Sequence, residues 1–213
     1  MGLRADSLPE VLEEIALTPR EKILSPHTTT IYVHGDMDQT MARHFVEALE
    51  ELRFGRQASA ALIDIASDGG EYFALATMLS AMAGSHMALA TFASGHAFSA
   101  AAVLLSAGHP DCRFISPYGA AMVHSLITAH PPQGIEELEG LTKFEASLNR
   151  RLMATFAKNC RTTAKKLDAE IRAGGGRTLW LLPDQALSLG LVDHIGIPGI
   201  TQQMSYDLEG VKG

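Results

Sequence analysis

Cysteine is nearly absent: Cys112 and Cys160 are the only two among 213 residues. Two thiols cannot build a disulfide framework, and so small a number fits a reducing compartment. Long apolar runs are missing too. The stretch AAAVLLSAG falls well short of the roughly 20 apolar residues that a membrane-spanning helix needs. At the start, MGLRADSLPEVLEEIALTPREK mixes charged and apolar groups without the continuous apolar region of a signal peptide. Basic charge is in the minority, with 17 Lys and Arg against 24 Asp and Glu and a net charge of −7. That balance argues against nucleic acid or an anionic membrane surface as a partner. None of the nine histidines stands in an HxxxH or HExxH pair, so neither a metal nor another cofactor is expected. Cys112 and Cys160 read as structural thiols and the lone Trp180 as a core residue. The expectation is a soluble, cytoplasmic protein.

What is present is a core-forming composition, 46% hydrophobic residues with 19% charged, enough for one globular domain. Three units of strand, turn and helix follow one another. TTTIYVHG is β-branched and strand-like, and MDQTMARHFVEALEELRFG carries Met41, Phe45, Val46, Leu49 and Leu52 at helical spacing. ASAALIDIAS predicts a buried strand, DGG a turn and EYFALATMLSAMAG a helix. MALATFAS predicts a third strand, GHAF a turn and SAAAVLLSAG a short helix of small residues. Such a series predicts an α/β fold with parallel strand pairing. Two close strands follow, CRFIS and AAMVHS. IEELEGLTKFEASLNRRLMATFAKN then predicts a helix longer than most globular ones, with Leu138, Leu141, Phe144, Leu148, Leu152 and Phe156 on one stripe. The stripe seeks either a partner surface or the chain's own core. TTAKKLDAEIRAG reads as a helix capped by Thr162 or Thr163, and PDQALSLGLVDHIG as a short helix followed by a strand.

Candidate chemistry gathers where the apolar strands end. Ser99 opens its helix, so the Ala100 N–H is one of the donors that a helix start leaves unpaired. Gly69 or Gly70, just past another strand, could supply a second. Two N–H groups beside a serine suit the oxyanion of acyl transfer, and His124, ending its strand, could serve as base. Taken alone, a serine after a glycine and before a helix is more often a structural cap. Ser94 and Ser106 are weaker nucleophile candidates, one preceding the turn and the other inside the helix.

In order and spacing, IASDGG, SGHAFSAAAVLLSAG, AAMVHS and ALSLGLVDHI resemble the Clp protease proteolytic subunit (ClpP) family. Its pattern is INSPGG, then G-x-A-A-S-M-G-A, a strand ending I-H-Q, a long handle helix, and E-A-x-x-Y-G-L-x-D. The resemblance covers roughly residues 29–196. It implies a ClpP/crotonase-like spiral of repeated β-turn-α units, with residues 1–27 as an N-terminal extension, 28–213 as the peptidase domain and a projecting handle helix at about 135–159. It also implies a serine endopeptidase acting on peptide or unfolded polypeptide. Ser99 is then the nucleophile, His124 the base, and Gly70 with Ala100 the oxyanion hole. Gly69 and Glu71 on one side, and Ser125 and Leu126 on the other, flank an extended peptide held by strand addition. A homo-oligomer of stacked rings and an ATPase unfoldase partner complete what the family implies.

Two departures stand out. The family's third catalytic residue is an aspartate in R-D-x-F/W, and Thr178 holds that place in RTLW. Its hydroxyl could take the His124 N–H, or another carboxylate could substitute, Asp168 first and Asp184 second. The N-terminal PREKILSPHTTT also lacks the family's Y-D-I-Y-S-R-L-L-like segment. Two other readings stay open: a non-catalytic ring or scaffold subunit without the third carboxylate, and a crotonase-type acyl-CoA hydratase or isomerase. Against the latter, the A-D-x-x-A segment is absent and no glutamate stands near Ser99.

Overall fold

The structure, a computed structural model, describes residues 29–125, 135–173 and 178–198. The expected N-terminal extension, Leu126, Gly174–Gly176 and Arg177 lie outside them. Strands β1 (Thr29–His34), β2 (Ala60–Ser67), β3 (Ala88–Phe98), β4 (Arg113–Ile115) and β7 (His194–Ile195) pair in that order, all in parallel. Between them run α1 (Gln39–Glu50), continued by a π-helical turn over Glu51–Gly55, α2 (Tyr72–Gly84) and α3 (Ala100–Ser106). Sequential parallel neighbours linked by helices make the expected α/β spiral. Helix α1 starts because the Asp38 side chain accepts the Met41 N–H at 2.7 Å. Its buried face, Ala42, Phe45 and Leu49, joins Ile31, Val33, Ile63, Ile65, Leu75 and Met78 in one core. Among the described residues, no helix is long and apolar enough to cross a membrane.

The third unit corrects a sequence expectation. GHAF is not a turn: β3 continues through it and changes partner on the way. Thr91–Ala93 pair with β4, whereas His96–Phe98 pair with β5 (Ala120–His124). On the β2 side the register jumps from Ile65↔Ala93 to Ser67↔Ala97, so β3 bulges through Ser94, Gly95 and His96. A glycine inside a strand pattern can mark a bulge as well as a turn, and here it marks the bulge. Strand β5 then takes β6 (Thr178–Leu181) as an antiparallel neighbour, the one antiparallel pair among the described strands. Branching at β3 thus carries Ser99, the next residue, alongside β5 and its terminal His124.

Helix α4 (Ile135–Asn159) has the predicted bounds. Its C-terminal half packs Leu152, Met153, Phe156 and Ala157 against the core, while Leu138 and Phe144 in the other half stay exposed. The core reading of the stripe therefore holds for the C-terminal half of the helix alone. Helix α5 (Ala164–Ala173) is capped by Thr163, whose hydroxyl accepts the Lys166 N–H. Helix α6 (Pro183–Leu189) ends at Gly190 in the left-handed region. The roots of these segments meet at Arg113, which is 3% exposed. Its guanidinium holds both carboxylate oxygens of Asp193, at 2.8 and 2.6 Å, and donates to the carbonyls of Asn159 and Gly190.

Candidate active site

Ser99 is the junction of β3 and α3, with φ 54° and ψ −119°. Glycine adopts that conformation freely, whereas a side chain there costs about 1–3 kcal/mol. The Ser99 hydroxyl makes no capping hydrogen bond, so the structural explanation favoured by spacing alone is not the one the fold uses. The two competing serines are engaged. Ser106 donates to the Val103 carbonyl and accepts from Asn159, and Ser94 leans on the Ile65 carbonyl. The Ser99 backbone is tied down from both sides: its N–H donates to the Met122 carbonyl of β5, and its carbonyl receives the N–H groups of Ala102 and Val103. The Ala100 N–H, at the first helical position, has no hydrogen-bond partner among the described residues.

The S-D-G-G turn closes on the same point. Gly69 lies so near that a Cβ there would stand 2.9 Å from the Ala100 nitrogen, 2.9 Å from the Ser99 Cβ and 2.7 Å from the Phe98 carbonyl oxygen. Only glycine leaves the approach to the Ala100 N–H open. Gly70 forms a parallel bridge with Met37, in which the Met37 N–H donates to the Gly69 carbonyl and the Glu71 N–H to the Met37 carbonyl. In such a bridge the central residue's own N–H and C=O face the other way, so the Gly70 N–H points off the bridge and is unpaired among the described residues. Gly69 donates its N–H to the Ser67 hydroxyl, and the Glu71 carbonyl accepts the Leu75 N–H. The backbones flanking Gly70 are therefore occupied in holding it. The Glu71 carboxylate accepts a hydrogen bond from Gln39.

Ser67 is the residue that sequence reasoning missed. Fully buried, it donates its hydroxyl to the Gly35 carbonyl and accepts from the Gly69 N–H, fixing the turn from beneath. A hydroxyl ending an otherwise apolar buried strand was the available signal, because a buried polar group requires partners.

His124 ends β5 half-buried, on the sheet face opposite buried Ala121 and Val123. Phe98, Met122 and Trp180 occupy adjacent register positions across β3, β5 and β6. Phe98 meets Trp180 edge-on at 5.3 Å, and Trp180 is 60% exposed, so it is a surface residue of this face and not the expected core residue. Thr178 is the register partner of His124, yet the His124 Nδ1 faces the main-chain carbonyl of Ser125. Neither alternative carboxylate is paired with His124. Asp168 binds Arg172 on its own helix, at 2.8 Å, and Asp184 sits in the first turn of α6. Ser99, His124, Gly69, Gly70 and Ala100 thus lie around one strand branch, with Thr178 beside His124 and Asp168 paired with Arg172. Among the described residues, no group of three or more His, Cys, Asp or Glu side chains is placed to hold a metal.

Comparison with known proteins identifies the family. A sequence profile described as Clp protease matches residues 16–198. The chain is 29% identical over 194 residues to the ATP-dependent Clp protease proteolytic subunit 1 of Corynebacterium glutamicum, covering 88% of this chain and 90% of that one. It is 30% identical over 131 residues to the ATP-dependent Clp protease proteolytic subunit 2 of Streptomyces coelicolor, covering 62% and 58%. A third relative, the proteolytic subunit 1 of Rhodococcus jostii, is 32% identical over 132 residues, again covering 62% and 58%. With its profile matched over most of its length, the chain belongs to the Clp protease family.

Proposed function

We propose that this chain is a serine endopeptidase subunit acting on extended polypeptide. The observation that carries the reading is Ser99, a side-chain-bearing residue held in a glycine-like conformation without a capping bond, beside the unpaired N–H groups of Ala100 and Gly70. In this reading His124 Nε2 takes the Ser99 Oγ proton as the oxygen attacks the peptide carbonyl. Negative charge on the carbonyl oxygen is received by the Gly70 and Ala100 N–H groups, already oriented before reaction. His124 then passes its proton to the leaving amine, and water hydrolyses the acyl-enzyme by the same route in reverse. The peptide lies between the Gly69–Glu71 strip and the segment that begins at Ser125 and continues to Leu126.

The exposed half of α4 supports a role as an interlocking handle in a homo-oligomer of stacked rings, since Leu138 and Phe144 otherwise stand in water. The names of the relatives support an ATPase unfoldase as partner. Thr178, which brings no carboxylate to His124, is the one observation favouring a second reading, a non-catalytic subunit. Hydrolysis of fluorogenic peptides decides between them: activity lost in both Ser99→Ala and His124→Ala supports the peptidase. Wild-type protein no more active than Ser99→Ala supports the non-catalytic subunit.

A further inference from the structure

The contact between His124 Nδ1 and the Ser125 carbonyl has a definite chemical consequence. A carbonyl oxygen offers only lone pairs, so the contact is attractive only when Nδ1 carries hydrogen. A neutral imidazole has one ring hydrogen. Placing it on Nδ1 leaves the Nε2 lone pair free, which is the form a general base requires. In a serine triad a buried carboxylate performs this orientation. Among the described residues no carboxylate is paired with His124: Asp168 is bound to Arg172, and the residue paired with His124 is Thr178. Among the described residues the Thr178 hydroxyl makes no hydrogen bond to His124. Among the described residues the β5–β6 pairing runs as far as His124↔Thr178, and Ser125 is the next residue after β5, beside the base.

Resting on the Ser99–His124 reading, we infer that the Ser125 main-chain carbonyl is the positioning group of the site, fixing the His124 tautomer in place of a side-chain carboxylate. The proton balance is simple. The Ser99 Oγ proton moves to Nε2, the ring then carries two N–H groups and one positive charge, and the Nε2 proton goes to the leaving amine. The Nδ1 hydrogen stays on the ring throughout. A neutral carbonyl stabilises that cation less than a carboxylate would, so the site is a slower version of a triad and independent of the threonine.

The test combines nitrogen-15 NMR of the full chain, with the His124 signals assigned by their loss in His124→Gln, and the isosteric substitution Thr178→Val. The expected result is the Nδ1–H form of His124 in both wild type and Thr178→Val, with fluorophosphonate labelling rates of the two within twofold. His124 in the Nε2–H form overturns the inference. So does a Thr178→Val variant that loses the Nδ1–H form together with tenfold or more of the labelling rate. Failure of the underlying reading looks different: wild type takes up no probe, which removes the catalytic role of the carbonyl, while the Nδ1–H form of His124 persists.

Discussion

Asp193→Asn is the most informative perturbation of the scaffold. Asp193 and Arg113 are 9% and 3% exposed at their side chains and joined by two short hydrogen bonds. The same guanidinium ties down the carbonyls of Asn159 and Gly190, so one cation anchors the end of α4, the end of α6 and the start of β4. Removing one partner of a buried pair leaves the other charge unpaired and costs about 3–5 kcal/mol. At a typical urea slope of about 2 kcal/mol per molar, the unfolding midpoint of Asp193→Asn should fall by about 1.5–2.5 M, measured at one fixed protein concentration. Burial alone would raise the Asp193 pKa, but the hydrogen bonds and charge of Arg113 outweigh it and hold the carboxyl below its usual value. A depressed carboxyl stabilises the fold above the unfolded pKa near 3.9, and this contribution is lost as pH falls through the lower folded value. Wild type should therefore lose stability below about pH 4 more steeply than Asp193→Asn. A midpoint shift under about 0.25 M, or identical acid limbs, would refute the reasoning.

Three further outcomes follow from the site and the long helix. Ser99→Gly relieves the positive-φ strain that Ser99→Ala retains, so it should be about 1 kcal/mol more stable than the alanine variant, or about 2–4 °C in Tm by calorimetry, with both inactive. Equal stability would mean that the junction is unstrained. Thr178→Asp places a carboxylate at the register position facing His124. Loss of the triad carboxylate costs serine proteases about 10⁴ in kcat, so even partial recovery should raise the fluorophosphonate labelling rate at least about tenfold, and an unchanged or slower rate would count against the facing geometry. Leu141→Glu and Phe144→Glu on the free half of α4 should lower the assembled mass seen by light scattering while leaving the monomer folded. An unchanged mass would count against the handle role.

The long-range plan was legible because it depends on patterns that survive in one dimension. Helix α4 shows its apolar stripe from Leu138 to Phe156, and DGG marks the turn before α2 on its own. The branch at β3 was not legible. GHAF has turn composition, and only tertiary pairing with β5 draws it into a strand and turns Gly95 into part of a bulge. For the same reason Ser99 resembled a cap in sequence. Capping depends on where the hydroxyl points, and a φ of 54° is set by the β3–β5 pairing and the glycine turn against it. Only side chains were weighed from sequence as partners of His124, whereas the contact its Nδ1 makes in the fold is with the main-chain carbonyl of its chain neighbour Ser125.

The central claim is that Ser99 is an activated nucleophile, and fluorophosphonate labelling followed by peptide mapping tests it most directly. The account predicts a single adduct on Ser99, absent in Ser99→Ala and strongly slowed in His124→Ala. No adduct at any pH from about 6 to 9, or an adduct on Ser94 or Ser106, would contradict it.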